Sequence, residues 1–374
     1  MRSLPALAAS AALLLSACDS VLTDAPTSEA LVQPAKTSVC HYNPATDAYA
    51  RLDVGGGLDA HLRHGDLLYN DDPADDDPAD GDLYCGTTQA PPPKLPTCSE
   101  RIVFTSERDG YVQIYAMAPD GSNQVNLSDH PSTDYDGEVS PDGTKIVFTS
   151  TRDGGSSDIY VMDADGSNVV RLTDHPAADV QPTWSPDGAR IAFASARGSL
   201  TTHLFVMNAD GTGVGQLTDG TASEFQPSWS PDGTRIAFTS SEAGDSDIHV
   251  FTFGEGTRVQ LTDDPAADYH PAWSPDGSRI VFASDRTSPE HSDLFVIDAG
   301  GGIETNLTSD SAANNSPAWS PDGTRIVYSS HLGEETDIYV IQASGFGKTN
   351  LSDSPGFDFT PDWGCLRPSL DLTL

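Results

Sequence analysis

The feature that most constrains this chain is a repeated unit of 44 to 46 residues that fills positions 101–365. Its most regular part reads Trp-Ser-Pro-Asp-Gly-x-Arg-Ile-x-Phe, as in Trp229–Phe238. The basic residue after Asp-Gly recurs with spacings of 44, 45, 45, 44 and 46, at Arg101, Lys145, Arg190, Arg235, Arg279 and Arg325. One such unit cannot bury both of its faces, so the copies must stack on one another.

Each unit contains four short β-like runs, which in the second copy are 146–150, 158–162, 169–173 and 182–185. Proline and glycine in Ser-Pro-Asp-Gly predict a tight turn between two of them. Four short strands with this period predict an all-β, six-bladed β-propeller of four-stranded blades. Large apolar residues in one register are predicted to wedge between neighbouring blades, and these are Val139, Trp184, Trp229, Trp273, Trp319 and Trp363.

The unit Pro-x-Trp-Ser-Pro-Asp-Gly-x-Arg-Ile-x-Phe, followed by Asp-Ile-Tyr-Val-Met and Leu-Thr-Asp, resembles the PD40 repeat of TolB-type six-bladed propellers. In that family the Pro-x-Trp-Ser strand is innermost. The resemblance implies that the first blade, entered at 101–106, takes its missing inner strand from 360–364 at the other end of the chain. This register places Cys98 beside Cys365 at the one hairpin that lacks a peptide turn, and so predicts a disulfide between them.

The first 18 residues are typical of an export signal, with Arg2 ahead of an apolar run at 4–15 that is too short to span a bilayer. Leu15-Ser16-Ala17-Cys18 resembles the bacterial lipobox, which implies that Cys18 is lipidated. The protein is then expected in the cell envelope, periplasmic or at the cell surface, and attached to the membrane only through lipid. A simple secretory peptide is the alternative.

The region before the repeats is predicted to contain a small folded unit. Positions 39–86 include a β-like run at 49–54 and a helical turn at 58–64, and so short a unit needs a covalent staple, for which we predict a Cys40–Cys85 disulfide. The predicted organisation is a signal peptide at 1–18, a disordered tether at 19–38, this unit at 39–86, a proline-rich linker at 87–97, the propeller at 98–366 and a tail at 367–374.

The small unit also contains candidate metal ligands. His41, His61 and His64 could hold zinc together with Cys40 or a carboxylate, although their spacing matches no standard metal motif and an oxidising compartment favours the disulfide. The aspartate-rich stretch at 71–82 is a second candidate, for calcium, but two prolines interrupt it. A solvated acidic loop is the simpler interpretation.

The formal net charge of −37 limits the partners of the protein. Phosphates would be repelled, which excludes nucleic acid and an anionic membrane surface, whereas a cationic protein or peptide would be attracted. Much of the acidity is aspartate at turns, where the side chain can bond nearby backbone groups. The arginines that follow those turns are expected to pair with the turn aspartates.

Two sets of residues precede each inner strand and form the candidate site. The first set is acidic in five of six blades and comprises Asp134, Asp179, Glu224, Asp268, Asn314 and Asp358. The second is polar throughout and comprises Asp136, Gln181, Gln226, His270, Ser316 and Thr360. We expect both at the mouth of the central channel, where converging carboxylates would recruit calcium or a cationic partner segment. The alternative is that each aspartate bonds its own loop.

Binding of a protein or peptide by a monomeric, non-catalytic propeller is the predicted function. The sequence contains no Gly-x-Ser-x-Gly, Walker or zincin motif. One alternative is an enzyme at the channel mouth, acting on acidic saccharides as in the faintly similar oligogalacturonate lyases, with His270, Gln181 and Gln226 near the acidic ring. A purely structural envelope protein is the other.

Overall fold

The computed structural model describes residues 38–43, 48–53, 67–69, 98–242 and 244–367. The chain divides into two compact units, Met1–Pro93 and Lys94–Leu374. In the first unit, β1 (Ser38–Asn43), β2 (Ala48–Asp53) and β3 (Leu67–Tyr69) form an antiparallel sheet in the order β2-β1-β3. No helix among the described residues is long and apolar enough to cross a membrane.

Several predictions for the N-terminal region fall outside the described residues. The β-like run at 49–54 agrees with β2, and Cys40 and His41 lie on β1. Cys18, His61, His64 and Cys85 lie outside the described residues, as do the helical turn at 58–64 and the acidic stretch at 71–82. The lipid anchor, the Cys40–Cys85 disulfide and the metal sites therefore stay predictions.

The strands of the second unit follow the repeat. In chain order they are β4 (Ser99–Ser106), β5 (Gln113–Met117), β6 (Val125–Asn126), β7 (Asp134–Val139), β8 (Lys145–Ser150), β9 (Asp158–Asp163), β10 (Val170–Arg171), β11 (Asp179–Trp184), β12 (Arg190–Ser195), β13 (His203–Asn208), β14 (Gly215–Gln216), β15 (Glu224–Trp229), β16 (Arg235–Ser240), β17 (Asp247–Thr252), β18 (Thr257–Gln260), β19 (Asp268–Trp273), β20 (Arg279–Ser284), β21 (Asp293–Asp298), β22 (Thr305–Asn306), β23 (Ala313–Trp319), β24 (Arg325–Leu332), β25 (Glu335–Gln342), β26 (Thr349–Asn350) and β27 (Asp358–Leu366).

Within residues 98–242 and 244–367 these strands form six antiparallel sheets of four strands. Blade 1 has the order β27-β4-β5-β6, and blades 2 to 6 are β7–β10, β11–β14, β15–β18, β19–β22 and β23–β26. The predicted all-β, six-bladed propeller is confirmed. The last strand also supplies the inner strand of the first blade, with Trp363 opposite Ile102.

A disulfide joins Cys98 to Cys365 across this junction, with their Cα atoms 5.5 Å apart. That separation lies in the normal range for disulfides. The predicted pairing of Cys98 with Cys365 is confirmed. Blade 1 is the only one of the six described blades whose inner strand lacks a peptide turn to the next strand, and the disulfide takes the place of that turn.

The core lies between blades, and the tryptophans pack there as predicted. Trp184 of blade 3, for example, packs on Val147 and Ile159 of blade 2. Arg190 lies over the Trp229 ring of the following blade, 4.7 Å from its centroid. The expected pairing of these arginines with turn aspartates is therefore wrong. The aspartates cap their own turns instead, since Asp232 accepts hydrogen bonds from Ser230 Oγ at 2.6 Å and Thr234 N at 2.9 Å.

Every inner strand carries a β-bulge at the same place. In blade 3 the register shifts between Val180 and Thr183, and Gln181 has a φ of 57°. The equivalent residues Asp136, Gln226, His270, Ser316 and Thr360 have φ values between 44° and 56°. The next residue is proline in five blades and Gly137 in blade 2, and proline, which lacks an N–H, suits a bulge. The strand predicted to begin at Pro182 begins instead at Asp179, because the bulge accommodates the proline inside it.

The disulfide gives the first prediction. Cys98→Ser/Cys365→Ser should lower the free energy of unfolding by up to about 5 kcal/mol, because the bond closes a very long loop in the unfolded chain. Urea unfolding of the double variant and the native protein under non-reducing conditions measures the difference. Equal unfolding free energies would show that the disulfide does not stabilise the closed ring.

Candidate functional site

The first predicted set of site residues is buried. Asp134, Asp179, Glu224, Asp268 and Asp358 are each 0% exposed. Each carboxylate forms an ion pair with an arginine, and these pairs are Arg152–Asp134, Arg197–Asp179, Arg258–Glu224, Arg286–Asp268 and Arg108–Asp358. The expectation that unpaired carboxylates converge at the channel mouth is therefore wrong for this set. A role of these residues in binding stays a prediction.

The arginine partners come from a short motif, Ser-x-Arg, at the end of the second strand. Arg152 donates from Nε to Ser150 Oγ at 3.0 Å and pairs with Asp134 at 2.8 Å, and its guanidinium lies 5.1 Å from the ring centroids of Phe148 and Tyr160. The sequence shows this motif at residues 106–108, 150–152, 195–197 and 284–286. It is the signal that would have predicted buried ion pairs.

Blades 4 and 6 lack the Ser-x-Arg arginine, and another cation takes its place. In blade 4 it is Arg258 on the outer strand β18, which pairs with Glu224 at 2.6 Å. In blade 6 Lys348 lies before the outer strand and stacks on Tyr328 and Tyr339, while the acidic position is Asn314. The replacement of both the acid and the arginine in blade 6 indicates that the pair serves blade structure.

The buried pairs give the second prediction. Arg197→Met should destabilise the propeller by ~3–5 kcal/mol, because it leaves the Asp179 carboxylate buried without a cation. Arg190→Met removes stacking contacts with the rings of Trp229 and Phe253 and should cost ~0.5–1 kcal/mol. Urea unfolding at pH 7 compares the two variants. Equal losses would show that the buried pair contributes no more than the stacked arginine.

The second predicted set lines a cavity on the propeller axis, about 390 Å³ in volume. We call this the axial cavity. It is lined by the six bulge residues Asp136, Gln181, Gln226, His270, Ser316 and Thr360, and by the residues that precede each inter-blade wedge, Glu138, Thr183, Ser228, Ala272, Ala318 and Asp362. It extends to the Ser-Pro-Asp-Gly turns at Pro275, Ser320 and Pro321.

Side-chain hydrogen bonds link neighbouring blades around one side of this cavity. Gln181 Oε1 accepts from Gln226 N, and Gln226 Oε1 accepts from His270 N, both at 3.0 Å. Gln226 Nε2 then donates to His270 Nε2 at 2.7 Å, which places the proton of the neutral imidazole on Nδ1. Burial lowers the pKa of His270 to about 4, so the ring is uncharged at neutral pH.

The opposite side of the axial cavity is acidic. Asp136, Glu138 and Asp362 lie on the adjacent inner strands of blades 2 and 1. Burial raises the pKa of Asp136 to about 7 and that of Asp362 to about 6. Burial and the neighbouring Asp362 charge raise the pKa of Glu138 well above its ordinary value.

Glu138 and Asp362 were not predicted as site residues. Glu138 Oε1 accepts hydrogen bonds from Trp184 N at 2.8 Å and Thr183 Oγ1 at 3.2 Å, and Asp362 Oδ2 accepts from Val139 N at 2.9 Å. Each thus joins its blade to the next. Side chains two positions apart on a strand point to the same side of the sheet. The residue before the tryptophan lies two positions after the bulge residue, so the sequence could have predicted both as site residues.

Metal binding at the axis stays a prediction. In the part of the chain that the structure describes, no group of three or more His, Cys, Asp and Glu side chains is arranged to hold a metal ion. The lining instead offers dispersed carboxylates on one side, amides and a neutral imidazole on another, and alanine and proline on the rest. Such a surface can recognise a cation larger than a metal ion, or an apolar group that carries one.

These features define a six-bladed propeller with a polar axial cavity. The family profile described as TolB beta propeller domain, PD40, matches residues 138–226 and 198–365, which together span more than half of the sequence. The chain therefore belongs to the PD40 family of TolB-type propellers. No curated protein sequence matches it significantly.

Solved structures share the fold. TolB from Acinetobacter baumannii matches with a TM-score of 0.62 and 23% identity, over 70% of this chain and 66% of that one. A putative TolB from Agrobacterium tumefaciens matches with a TM-score of 0.57 and 18% identity, over 73% of this chain and 100% of that one. A chain of a nidogen/laminin complex matches with a TM-score of 0.58 and 10% identity, over 71% of this chain and 98% of that one. At these identities the likeness shows the fold alone.

The acidic side of the cavity gives the third prediction. A carboxyl whose pKa is raised in the folded state stabilises the protein at low pH and loses that contribution as the pH rises through its folded pKa. Relative to the native protein, Asp136→Asn should therefore become progressively more stable between pH 5 and pH 7. Asparagine tolerates the positive φ at this position.

Urea unfolding at pH 5, 6 and 7 measures this difference. Asp276→Asn is the matched control, because hydrogen bonds from Ser274 and Ser278 lower the pKa of the Asp276 carboxyl to about 2. Its difference from the native protein should be constant over the same range, since Asp276 is ionised throughout. A constant difference for Asp136→Asn as well would contradict a raised pKa at Asp136.

Proposed function

We propose that this protein is a non-catalytic binding protein of the bacterial envelope, which holds a protein or peptide partner at the axial cavity and the surrounding turn face. The observation that carries this proposal is the cavity itself. Its wall is fixed by blade-to-blade hydrogen bonds, it is large enough for a side chain or a chain terminus, and it extends to the turn face. Rigid strands that surround a polar cavity are a common arrangement for binding.

Charge favours a cationic partner. The Ser-Pro-Asp-Gly turns, some of whose residues line the cavity, carry an aspartate in each of five blades, at Asp142, Asp187, Asp232, Asp276 and Asp322, and the chain carries a net charge of −37. Long-range attraction of this kind accelerates encounter with a positively charged surface. The complex of nidogen with laminin contains a propeller of the same fold, which is compatible with a protein partner.

For the location, we propose export and lipid attachment at Cys18, with the remainder of the chain acting as a monomer outside the cytoplasm. The lipobox resemblance at 15–18 and the TolB-type family support this proposal. Mass spectrometry of the membrane-bound protein should find a lipidated N-terminal cysteine, and Cys18→Ser should release the protein from the membrane. An unmodified Cys18 in the mature protein would contradict it.

The cavity does not favour the alternative of an enzyme acting on acidic saccharides. Three carboxylates in the lining would repel a uronate, and His270 is neutral with one ring nitrogen occupied by Gln226. A purely structural role is the remaining alternative, and the partner experiment distinguishes it from binding.

The fourth prediction tests partner binding. The full chain with Cys18→Ser, cross-linked to envelope extract, should enrich a specific protein that is identified by mass spectrometry. Asp136→Asn/Glu138→Gln/Asp362→Asn should enrich it several-fold less, because the variant removes the charge of the cavity and keeps oxygen acceptors for the inter-blade bonds. Asp219→Asn/Asp263→Asn/Glu290→Gln removes the same number of charges from exposed loops at the opposite end of the blades and is the control.

Retention of the partner by the control and its loss from the cavity variant would support binding at the axial cavity. Equal recovery by both variants would place the contact elsewhere on the propeller. If no protein is enriched above resin alone, the binding function is contradicted and the structural alternative is favoured.

A further inference from the structure

We propose that the axial cavity binds a protonated primary amine on an alkyl stem, the chemistry of a lysine side chain, with the ammonium group among Asp136, Glu138 and Asp362. This inference deepens the proposed function and rests on it for the source of the amine, which would be the partner protein. The cavity, the unpaired charges and the distribution of polar and apolar lining carry the argument.

The three carboxyl groups of the cavity have no cation beside them among the described residues, and a bound ammonium group would stabilise their ionised forms. Asp136, Glu138 and Asp362 form no ion pair with any lysine or arginine of the described residues. This contrasts with the five buried acids that lie two positions before the bulge residues, such as Asp134, each of which pairs with its own arginine. A cation that binds from outside would pair with these three carboxylates, as the arginines pair with the other five acids.

The free oxygens favour an ammonium group. Glu138 uses Oε1 for both of its hydrogen bonds, so Oε2 has no hydrogen bond to the described residues, and Asp362 uses Oδ2 for the bond to Val139 N. Single oxygens from separate carboxylates suit the three donors of an ammonium, whereas a guanidinium favours two oxygens of one carboxylate. Among the described residues, no group of three or more His, Cys, Asp and Glu side chains is arranged to hold a metal ion.

The rest of the lining suits an apolar stem. Ala272 and Ala318, with their neighbouring prolines, line the cavity on blades 5 and 6, and blade 6 adjoins the acidic blade 1. The alkyl part of a lysine side chain can pack on such a surface while its ammonium group lies on the acidic side.

The fifth prediction is the binding of a minimal amine. Calorimetric titration of the full chain carrying Cys18→Ser with n-pentylamine hydrochloride at pH 7 should show one site. n-Pentanol and pentanoate, which have the same stem without a positive charge, should bind roughly tenfold more weakly or worse, because the uncompensated carboxylates supply the selectivity. Calcium chloride, titrated into the protein alone and into its complex with pentylamine, tests the metal alternative.

Variants locate the site. Asp136→Asn/Glu138→Gln/Asp362→Asn should weaken pentylamine binding by about tenfold or more, whereas Asp219→Asn/Asp263→Asn/Glu290→Gln, which removes three exposed charges from loops at the opposite end of the blades, should not change it. If the triple cavity variant does not fold, Asp136→Asn alone should still weaken binding, because no hydrogen bond from the next blade's backbone ends on its carboxylate. Circular dichroism and urea unfolding verify the fold of each variant.

The outcomes separate this inference from the proposed function. Pentanol binding as tightly as pentylamine, or calcium displacing the amine with higher affinity at the same carboxylates, would overturn the amine site. A partner lost from the cavity variant while pentylamine shows no binding overturns the amine site and leaves the binding function standing. Pentylamine binding without any enriched partner supports the amine site and contradicts the proposed function.

Discussion

The structure depends on the burial of each blade's faces against its neighbours. A four-stranded blade of 44 to 46 residues has no second layer of its own, so its apolar side chains must find partners in the adjacent blades. A tryptophan packs in five of the six inter-blade clusters, and an arginine of the preceding blade covers the ring of four of them, Trp229, Trp273, Trp319 and Trp363. Because every blade needs two neighbours, the ring must close, and the exchange of β27 with the Cys98–Cys365 disulfide closes it.

A second constraint acts inside each blade, where a carboxylate is buried at the start of the inner strand. Burial of such a charge is costly unless a cation and hydrogen bonds compensate it. The propeller meets this requirement with an arginine stacked on two aromatic rings in most blades and with Arg258 in blade 4. Blade 6 changes the acid itself to Asn314. The cation comes from different sequence positions in different blades but pairs with the acid at the same place. This shows that the buried carboxylate must be paired with a cation.

The axial cavity follows from the β-bulge in the inner strands. The bulge places one residue per blade at a positive φ, and these residues bond to each other around the axis or face the cavity. Repetition of the blade alone would give six equivalent walls. The walls differ because the bulge and pre-tryptophan positions vary freely in chemistry, which concentrates three carboxylates on blades 1 and 2. That asymmetry is the basis for a specific ligand.

The sequence by itself determined the repeat and the number of blades, because these depend on its period. The strand exchange and the closing disulfide followed from the register of the repeat together with its resemblance to the PD40 unit. The sequence also selected Gln181, Gln226, His270 and Asp136, which line the cavity. Only the tertiary structure showed that these residues line the cavity while Asp134 and its equivalents are buried in the blades. The β-bulge with its positive φ decides which way each side chain points, and the neighbouring residues in the sequence do not reveal the bulge. The pairing of Asp134 with Arg152, and the convergence of Glu138 with Asp362 from opposite ends of the repeat array, arise because folding brings distant residues together.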